Sequence, residues 1–313
     1  MKKSSFCFLA ASGVLAVLVL YIALNCGAIW PWADAVNVPR HEQGSLVSYV
    51  STIENSLVSS GYQAPNAGDV ARIKLVTSEL LRAIASGTMA EFRNASYHAS
   101  DLQYEMVRYT DVDHGTTHYI LRERQDGRRG YGIFIFNSVQ RSRVIVEAPH
   151  PQTDLYTGSV SIRVYADSNA RAFLMATART DAGPNADVSH EPSTFFEAVH
   201  EALVSAESIV IQLHGFSLAG HPSYPDVVIS SGTTAKTPQI QELGKAFTAR
   251  GFSVGIFDGH QWSDLSGTQN VQGRQVSLVG GTFIHIELEL VMRTKNGDLT
   301  ANTISSFVAA QSP

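Results

Sequence analysis

The segment Ile209-Val-Ile-Gln-Leu-His-Gly-Phe216 decides the fold of this chain. Its first five residues form a short, largely apolar run, which is typical of a strand buried on both faces of a sheet. A histidine and a glycine follow, so the predicted strand ends at His214. In open α/β sheets, ligands bind beyond the carboxyl ends of the strands. We therefore expect His214 to lie at the rim of a parallel sheet, where a site can form.

Strand and helix patterns alternate around this segment. They predict an α/β fold with a mixed, mostly parallel sheet sandwiched by helices. Three apolar runs before it lie close together in sequence, which favours antiparallel or mixed pairing there. The expected strands are residues 119–122, 131–136, 144–147, 172–178, 209–213, 227–230, 254–257 and 283–290, and the clearest helices are residues 195–203 and 240–249.

The first 35 residues have the features of a signal peptide or membrane anchor. Lys2 and Lys3 precede an uncharged apolar run at residues 6–24, and Ala33-Asp-Ala35 resembles a cleavage site. Cleavage and secretion are expected, but the run is also long enough to span a bilayer uncleaved. Because the positive residues precede the run, the remainder is predicted to be exported, to the periplasm or the exterior, with or without attachment to the membrane.

Residues 36–100 are predicted to form a helical lead-in to a main domain at residues 101–313. Apolar side chains recur there at near-helical spacing, with breaks around Gly61 and Gly87. We expect this lead-in to pack on the main domain. A separate partner-binding module is the alternative.

Composition excludes several classes of function. The chain has 313 residues, 44% of them hydrophobic, which is enough for an ordinary core. A net charge of -5 without a basic stretch argues against nucleic-acid binding and against a polyanionic substrate.

Both cysteines, Cys7 and Cys26, lie in or beside the N-terminal segment. A disulfide, a thiolate ligand and a cysteine nucleophile are therefore excluded from the exported part.

Three separated motifs predict a Zn²⁺ site. His150 and Asp154 follow the strand at residues 144–147, His214 ends the next buried strand, and Glu287 lies in the last one. Catalytic zinc takes about three imidazole or carboxylate ligands and an open water position, with a nearby carboxylate as proton acceptor. His150, Asp154 and His214 are the predicted ligands, and Glu287 is the predicted general base.

The last strand places polar and apolar side chains on opposite faces. Phe283, His285, Glu287 and Glu289 share one side, because side chains alternate along a strand. One interpretation is that Glu287 points into the site. The other is an edge strand whose charges face water.

The motifs resemble those of the zinc exopeptidase group, which includes zinc carboxypeptidases, N-formylglutamate amidohydrolases and poly-gamma-glutamate hydrolases. The resemblance covers residues 128–293 and implies that His150, Asp154 and His214 bind zinc while Glu287 activates water. It implies hydrolysis of an amide or peptide bond in a small peptide or acyl-amino-acid substrate. Carboxypeptidases space the first pair as His-x-x-Glu, whereas this chain has His-x-x-x-Asp, so Glu147 competes with Asp154 as the acidic ligand.

Three further residues are candidates. Arg179 and Arg274 could hold the developing oxyanion, although a structural ion pair is the alternative for each. Asp187, in Asp187-Val-Ser-His190, could orient a ligand imidazole.

Two other functions remain open. A serine hydrolase would use Ser217, Asp258 and His285, in the order of the α/β-hydrolases. The chain lacks the Gly-x-Ser-x-Gly turn that this mechanism requires. The other alternative is a non-catalytic binding protein of the same fold. The sequence determines neither the substrate nor the oligomeric state.

Overall fold

The computed structural model describes residues 39–139 and 141–311; the predicted signal segment at residues 1–35 lies outside them. In the described part, one ten-stranded sheet has the order β1-β2-β3-β4-β6-β5-β7-β10-β8-β9. The strands are β1 Arg40–Gly44, β2 Tyr104–Asp111, β3 Thr116–Glu123, β4 Ile133–Asn137, β5 Val144–Ala148, β6 Ala172–Met175, β7 Ile209–Phe216, β8 Val227–Ser230, β9 Val254–Ile256 and β10 Thr282–Glu289.

The centre of the sheet is parallel. Strand β5 pairs in parallel with β6 on one side and with β7 on the other, and β7 pairs in parallel with β10. The pairs β2–β3, β3–β4, β4–β6 and β10–β8 are antiparallel. The prediction of a mixed, mostly parallel sheet is confirmed. Parallel strands must be covered on both faces, which explains why β5 and β7 begin with the apolar runs Val-Ile-Val and Ile-Val-Ile.

Helices cover both faces of the sheet and form two apolar cores. The helices are α1 Leu46–Glu54, α2 Ala67–Ser86, α3 Met89–Asp101, α4 Thr157–Ser168, α5 Phe195–Leu203, α6 Pro238–Thr248, α7 Val271–Val279, α8 Leu290–Arg293 and α9 Gly297–Gln311. One face of the sheet packs against α1, α4, α6 and α9. The other face packs against α2, α3, α5 and α7.

The structure adds detail to the predicted lead-in at residues 36–100. Its described part, from Pro39, contains three helices and one strand, β1, which pairs in parallel with β2. The described residues, from Pro39 onward, form one compact unit by their contacts. Among the described residues, no helix has the length and apolarity needed to cross a membrane.

Strand β10 is an interior strand, because β7 lies on one side of it and β8 on the other. The alternative of a water-facing edge strand is therefore wrong. Its parallel register with β7 places His285 beside Gln212 and Glu287 beside His214. All four of these side chains are buried. The register brings the polar face of β10 to the carboxyl end of β7, where the candidate site lies.

Candidate metal centre

A turn after β5 brings His150 and Asp154 together. The Asp154 amide donates to the His150 carbonyl at 2.8 Å, so the two side chains project from the same side of one turn. This local geometry explains how a four-residue spacing can present two ligands. The neighbouring strand β7 supplies His214, which lies inside the strand and not after its end.

The spacing of the donor atoms fits one zinc ion. Asp154 Oδ2 lies 3.5 Å from His150 Nδ1 and 3.2 Å from His214 Nδ1. Zinc bonds of about 2.0–2.2 Å at tetrahedral angles separate two ligand atoms by roughly 3.3–3.5 Å. One donor atom from each of the three residues lies within 4.8 Å of the other two. Two imidazoles and a carboxylate also form a donor set that leaves a fourth position for water.

Each histidine uses its other nitrogen for a protein partner. His150 Nε2 lies 2.8 Å from Asp187 Oδ1, and the second Asp187 oxygen accepts from His190 Nδ1 at 2.9 Å. His214 Nε2 lies 3.0 Å from Gln212 Oε1. Such outer partners orient ligand imidazoles in metal sites. The structure places Asp187 in the orienting position that its sequence context suggested.

The pKa values of His150 and Asp154 are shifted by their contacts with each other and with neighbouring side chains. Burial opposes a charge on His150, but hydrogen bonds to Asp154 and Asp187 outweigh it and raise the pKa of His150 to about 9. Burial acts against ionisation of Asp154, yet its bonds to His150 and His214 hold its pKa well below the usual range. His150 and Asp154 therefore stabilise each other's charged forms, whereas burial lowers the pKa of His214.

Glu287 faces the same cavity from β10. Donor atoms of His214, His285 and Glu287 lie within 4.8 Å of one another, so these residues form a second candidate metal group that shares His214. Burial, and then the charge of Asp154, raise the pKa of Glu287 well above its ordinary value. The structure therefore places Glu287 beside the predicted ligands, and its role as general base stays a prediction.

The cavity that contains these groups has a volume of about 240 Å³. Apart from the ligands and Glu287, its wall comes mainly from the loop before α7. The lining residues are His150, Asp154, His190, His214, Gly215, Ser263, Asp264, Leu265, Ser266, Gly267, Thr268, Gln269, Asn270, His285 and Glu287.

The two candidate arginines lie in different places. Arg179 is exposed and forms a two-bond ion pair with Asp181, with Nε 2.7 Å from Oδ1, and it does not line the cavity. Arg274 donates to the side chain of Gln269, which does line the cavity. Arg274 therefore contacts a residue of the cavity wall without lining the cavity itself, and Arg179 is paired elsewhere.

The structure does not assemble the alternative serine triad. Ser217 Oγ accepts from the Ala219 amide, and Asp258 pairs with Lys236. His285 is buried with Nε2 3.7 Å from Glu287 Oε1. Within residues 39–139 and 141–311, no hydrogen bond joins Ser217, Asp258 and His285.

The sequence analysis did not identify Arg293, and it did not identify Gln212 as the hydrogen-bond partner of His214 Nε2. Arg293 is buried below Gly215 and donates to the carbonyls of Leu155 and Phe216 at 2.6 and 2.7 Å. It thereby ties the segment after Asp154 to the end of β7. The only sequence signal for a role of Arg293 is its position shortly after the half-polar strand β10.

Glu147, the competing acidic ligand, is fully buried below the rim. Its carboxylate bonds His200 Nδ1 at 2.7 Å and Gln212 Nε2 at 3.0 Å. Glu147 therefore bonds His200 and the His214 partner Gln212, whereas Asp154 is the carboxylate that lies among the predicted ligand atoms.

Comparison with known proteins gives matches in structure alone: no protein family and no curated protein matches the sequence. Similar solved structures include a bacteriophage poly-gamma-glutamate hydrolase (11% identity, 55% of this chain, 84% of the other, TM-score 0.40). The N-formylglutamate amidohydrolase of Ralstonia eutropha is also similar (10% identity, 58% and 96%, TM-score 0.40). A third is the zinc-free form of a protein called YNDL (14% identity, 58% and 92%, TM-score 0.43).

Proposed function

We propose that this protein is an exported zinc-dependent hydrolase of an amide or peptide bond. The observation that carries the proposal is the convergence of His150 Nδ1, His214 Nδ1 and Asp154 Oδ2 at separations suited to one tetrahedral ion. A buried carboxylate, Glu287, lies beside them in the same cavity. Bound zinc would supply a Lewis acid that polarises the scissile carbonyl and acidifies a water.

The residues of the chain then have separate tasks. His150, Asp154 and His214 hold the ion, and Glu287 accepts the proton of the attacking water on its carboxylate and passes it to the leaving amine. Arg274 donates to Gln269, which lines the cavity, and of the two arginines that the sequence suggested we retain it as the candidate that helps hold the developing oxyanion. We propose a small peptide or an acylated amino acid as the substrate.

Metal analysis with a turnover assay tests this proposal. Purified protein should contain about one zinc ion per chain, since the described ligand set suits a single ion. His214→Ala should lose this zinc. Wild-type protein should hydrolyse at least one member of a panel of N-acylated amino acids and short peptides. A zinc content in His214→Ala equal to wild type would show that the ligand assignment is wrong, and a zinc-loaded protein without turnover would favour a binding protein.

A chelator separates zinc chemistry from serine chemistry. Turnover should stop on chelation and return with added zinc, while Ser217→Ala should retain most activity because its hydroxyl contacts neither Asp258 nor His285. Labelling of Ser217 by a covalent serine probe, with turnover indifferent to the chelator, would instead support a serine hydrolase.

Export is part of the proposal and has its own test. The basic residues and apolar run at residues 1–35 support it. An alkaline phosphatase fused after residue 313 should be active, since that enzyme requires an oxidising compartment. An inactive fusion at normal expression would contradict export.

A further inference from the structure

A chain of buried side chains lies behind His214 and ends on a backbone carbonyl. Gln212 and Gln272 are fully buried, and each amide has partners at both ends. The chain links His214 to the carbonyl of Val188 through these two glutamines. Such amides have two possible orientations, which only the hydrogen-bond network can decide.

The Val188 carbonyl decides the orientation of Gln272. A backbone carbonyl only accepts, so the group 2.9 Å from it must be the Gln272 Nε2 donor. The Gln272 oxygen then faces Gln212, where it accepts from Gln212 Nε2 at 3.2 Å. The Glu147 carboxylate also accepts from Gln212 Nε2, at 3.0 Å. The orientation of the Gln212 amide is therefore set from two sides.

This orientation determines the proton position on His214. Gln212 Oε1 faces His214 Nε2 at 3.0 Å, so an unprotonated Nε2 would place two lone pairs against each other. The competing contact, from Asn270 Nδ2 to His214 Nε2, is longer, at 3.4 Å against the 3.0 Å between Gln212 Oε1 and the same nitrogen. A proton on Nε2 satisfies Gln212 Oε1, and Nδ1, which faces Asp154 Oδ2 at 3.2 Å, is then the nitrogen that can bind the metal.

We propose that Gln212 and Gln272 are positioning residues that hold His214 in the Nε2–H form, so that Nδ1 is ready to bind the metal. The proposal rests on the proposed function only in the identity of His214 as a ligand. Without the Gln212 carbonyl, Asp154 Oδ2, which lies 3.2 Å from His214 Nδ1, would draw the proton to Nδ1. That tautomer cannot bind a metal through Nδ1.

The first measurement is the tautomer itself, in zinc-free full-length protein at neutral pH. Two-bond ¹H–¹⁵N correlations report which imidazole nitrogen carries the proton, and the absence of the signals in His214→Ala assigns them. Wild type should show the Nε2–H form, and Gln212→Leu should shift to Nδ1–H. A wild-type His214 in the Nδ1–H form would overturn the proposal even if every variant failed to fold.

The second measurement is zinc affinity by competition with a chelator. Gln212→Leu should weaken zinc binding by about 10–100-fold, as expected for loss of an outer partner of a ligand. The matched control is Glu197→Gln. Glu197 is equally buried and accepts from Gln272 Nε2 at 2.8 Å, but the substituted amide oxygen can still accept, so the orientation of Gln272 is unchanged. Zinc affinity of the control should match wild type.

These outcomes separate the two proposals. A folded Gln212→Leu variant with wild-type tautomer and wild-type zinc affinity would overturn the positioning role. A wild type that binds no zinc, together with the expected tautomer shift in Gln212→Leu, would overturn the zinc site and leave only the control of the His214 tautomer by the glutamines.

Discussion

Gly215→Ala is the most direct test of how the site is built. Gly215 follows His214 in β7, and a Cβ added there would lie 2.3 Å from Arg293 Cζ and 2.4 Å from Nη1. Favourable carbon contacts begin near 3.5 Å, so the guanidinium would have to move by about 1 Å or more. The same guanidinium donates to Leu155 O at 2.6 Å and Phe216 O at 2.7 Å. A movement of that size breaks at least one of these bonds.

The expected cost follows from those two effects. Overpacking a filled interior costs about 1–3 kcal/mol, and leaving a hydrogen bond of a buried charged group unmade costs about 2 kcal/mol or more. We expect the free energy of unfolding to fall by about 3–5 kcal/mol. In urea denaturation this would lower the midpoint by about 1 M or more. Zinc affinity should also fall, because Leu155 directly follows the ligand Asp154.

Gly220→Ala is the matched control, since a Cβ there meets only Ser217 O at 3.7 Å, an ordinary contact. Its unfolding free energy should stay within about 0.5 kcal/mol of wild type. In the double variant Gly215→Ala/Arg293→Ala, the two losses should be less than additive, because the second change removes the group that the first displaces. Equal stability of the Gly215→Ala and Gly220→Ala variants would refute the close packing of Arg293 on Gly215.

Three further predictions concern the proposed base Glu287, the His150 partner Asp187, and the pH dependence of stability that arises from His118. Glu287→Gln keeps its shape but cannot accept a proton, so turnover should fall by about 10²–10⁴-fold with zinc retained, whereas Glu289→Gln should be much milder. Full turnover in Glu287→Gln would remove it from the mechanism. Asp187→Asn should weaken zinc binding by about 10–100-fold in a chelator competition. His190→Gln, which keeps the Asp187 contact to His150, should change binding by no more than about threefold, and equal effects would contradict the orienting role of Asp187. Burial lowers the pKa of His118 to about 4 from 6.5, so the unfolded chain takes up the proton first as the pH falls. Stability from this group is fully present above pH 6.5 and declines by about 3 kcal/mol toward pH 4, and denaturation of His118→Gln across that range should show a flatter profile.

Local patterns were sufficient for much of the fold. The runs now seen as β5, β7, β8 and β10 and the helix α5 were predicted close to their observed bounds, because apolar periodicity and turn residues act over a few positions. Strand β2 and the helices α4, α7 and α9 were not predicted. Helix α4 contains polar and glycine residues in a buried setting, where tertiary packing outweighs local preference.

The sequence by itself determined which side chains could perform metal chemistry. His150, Asp154, His214 and Glu287 were identified because each follows or lies in an apolar strand, where a polar residue needs a reason. Their motif positions also place them at one rim, since parallel strands end at the same edge.

Only the tertiary structure decided how those side chains are supported and that Arg293 packs under Gly215. His150 and Asp187 are 37 residues apart, and Arg293 and Leu155 are 138 apart, so no local pattern encodes either contact. The orientation of Gln212 depends on Val188 and Gln272, which reach it from separate segments. These contacts arise from the register of β5, β7 and β10 and from dense packing on both faces, and both are properties of the assembled sheet.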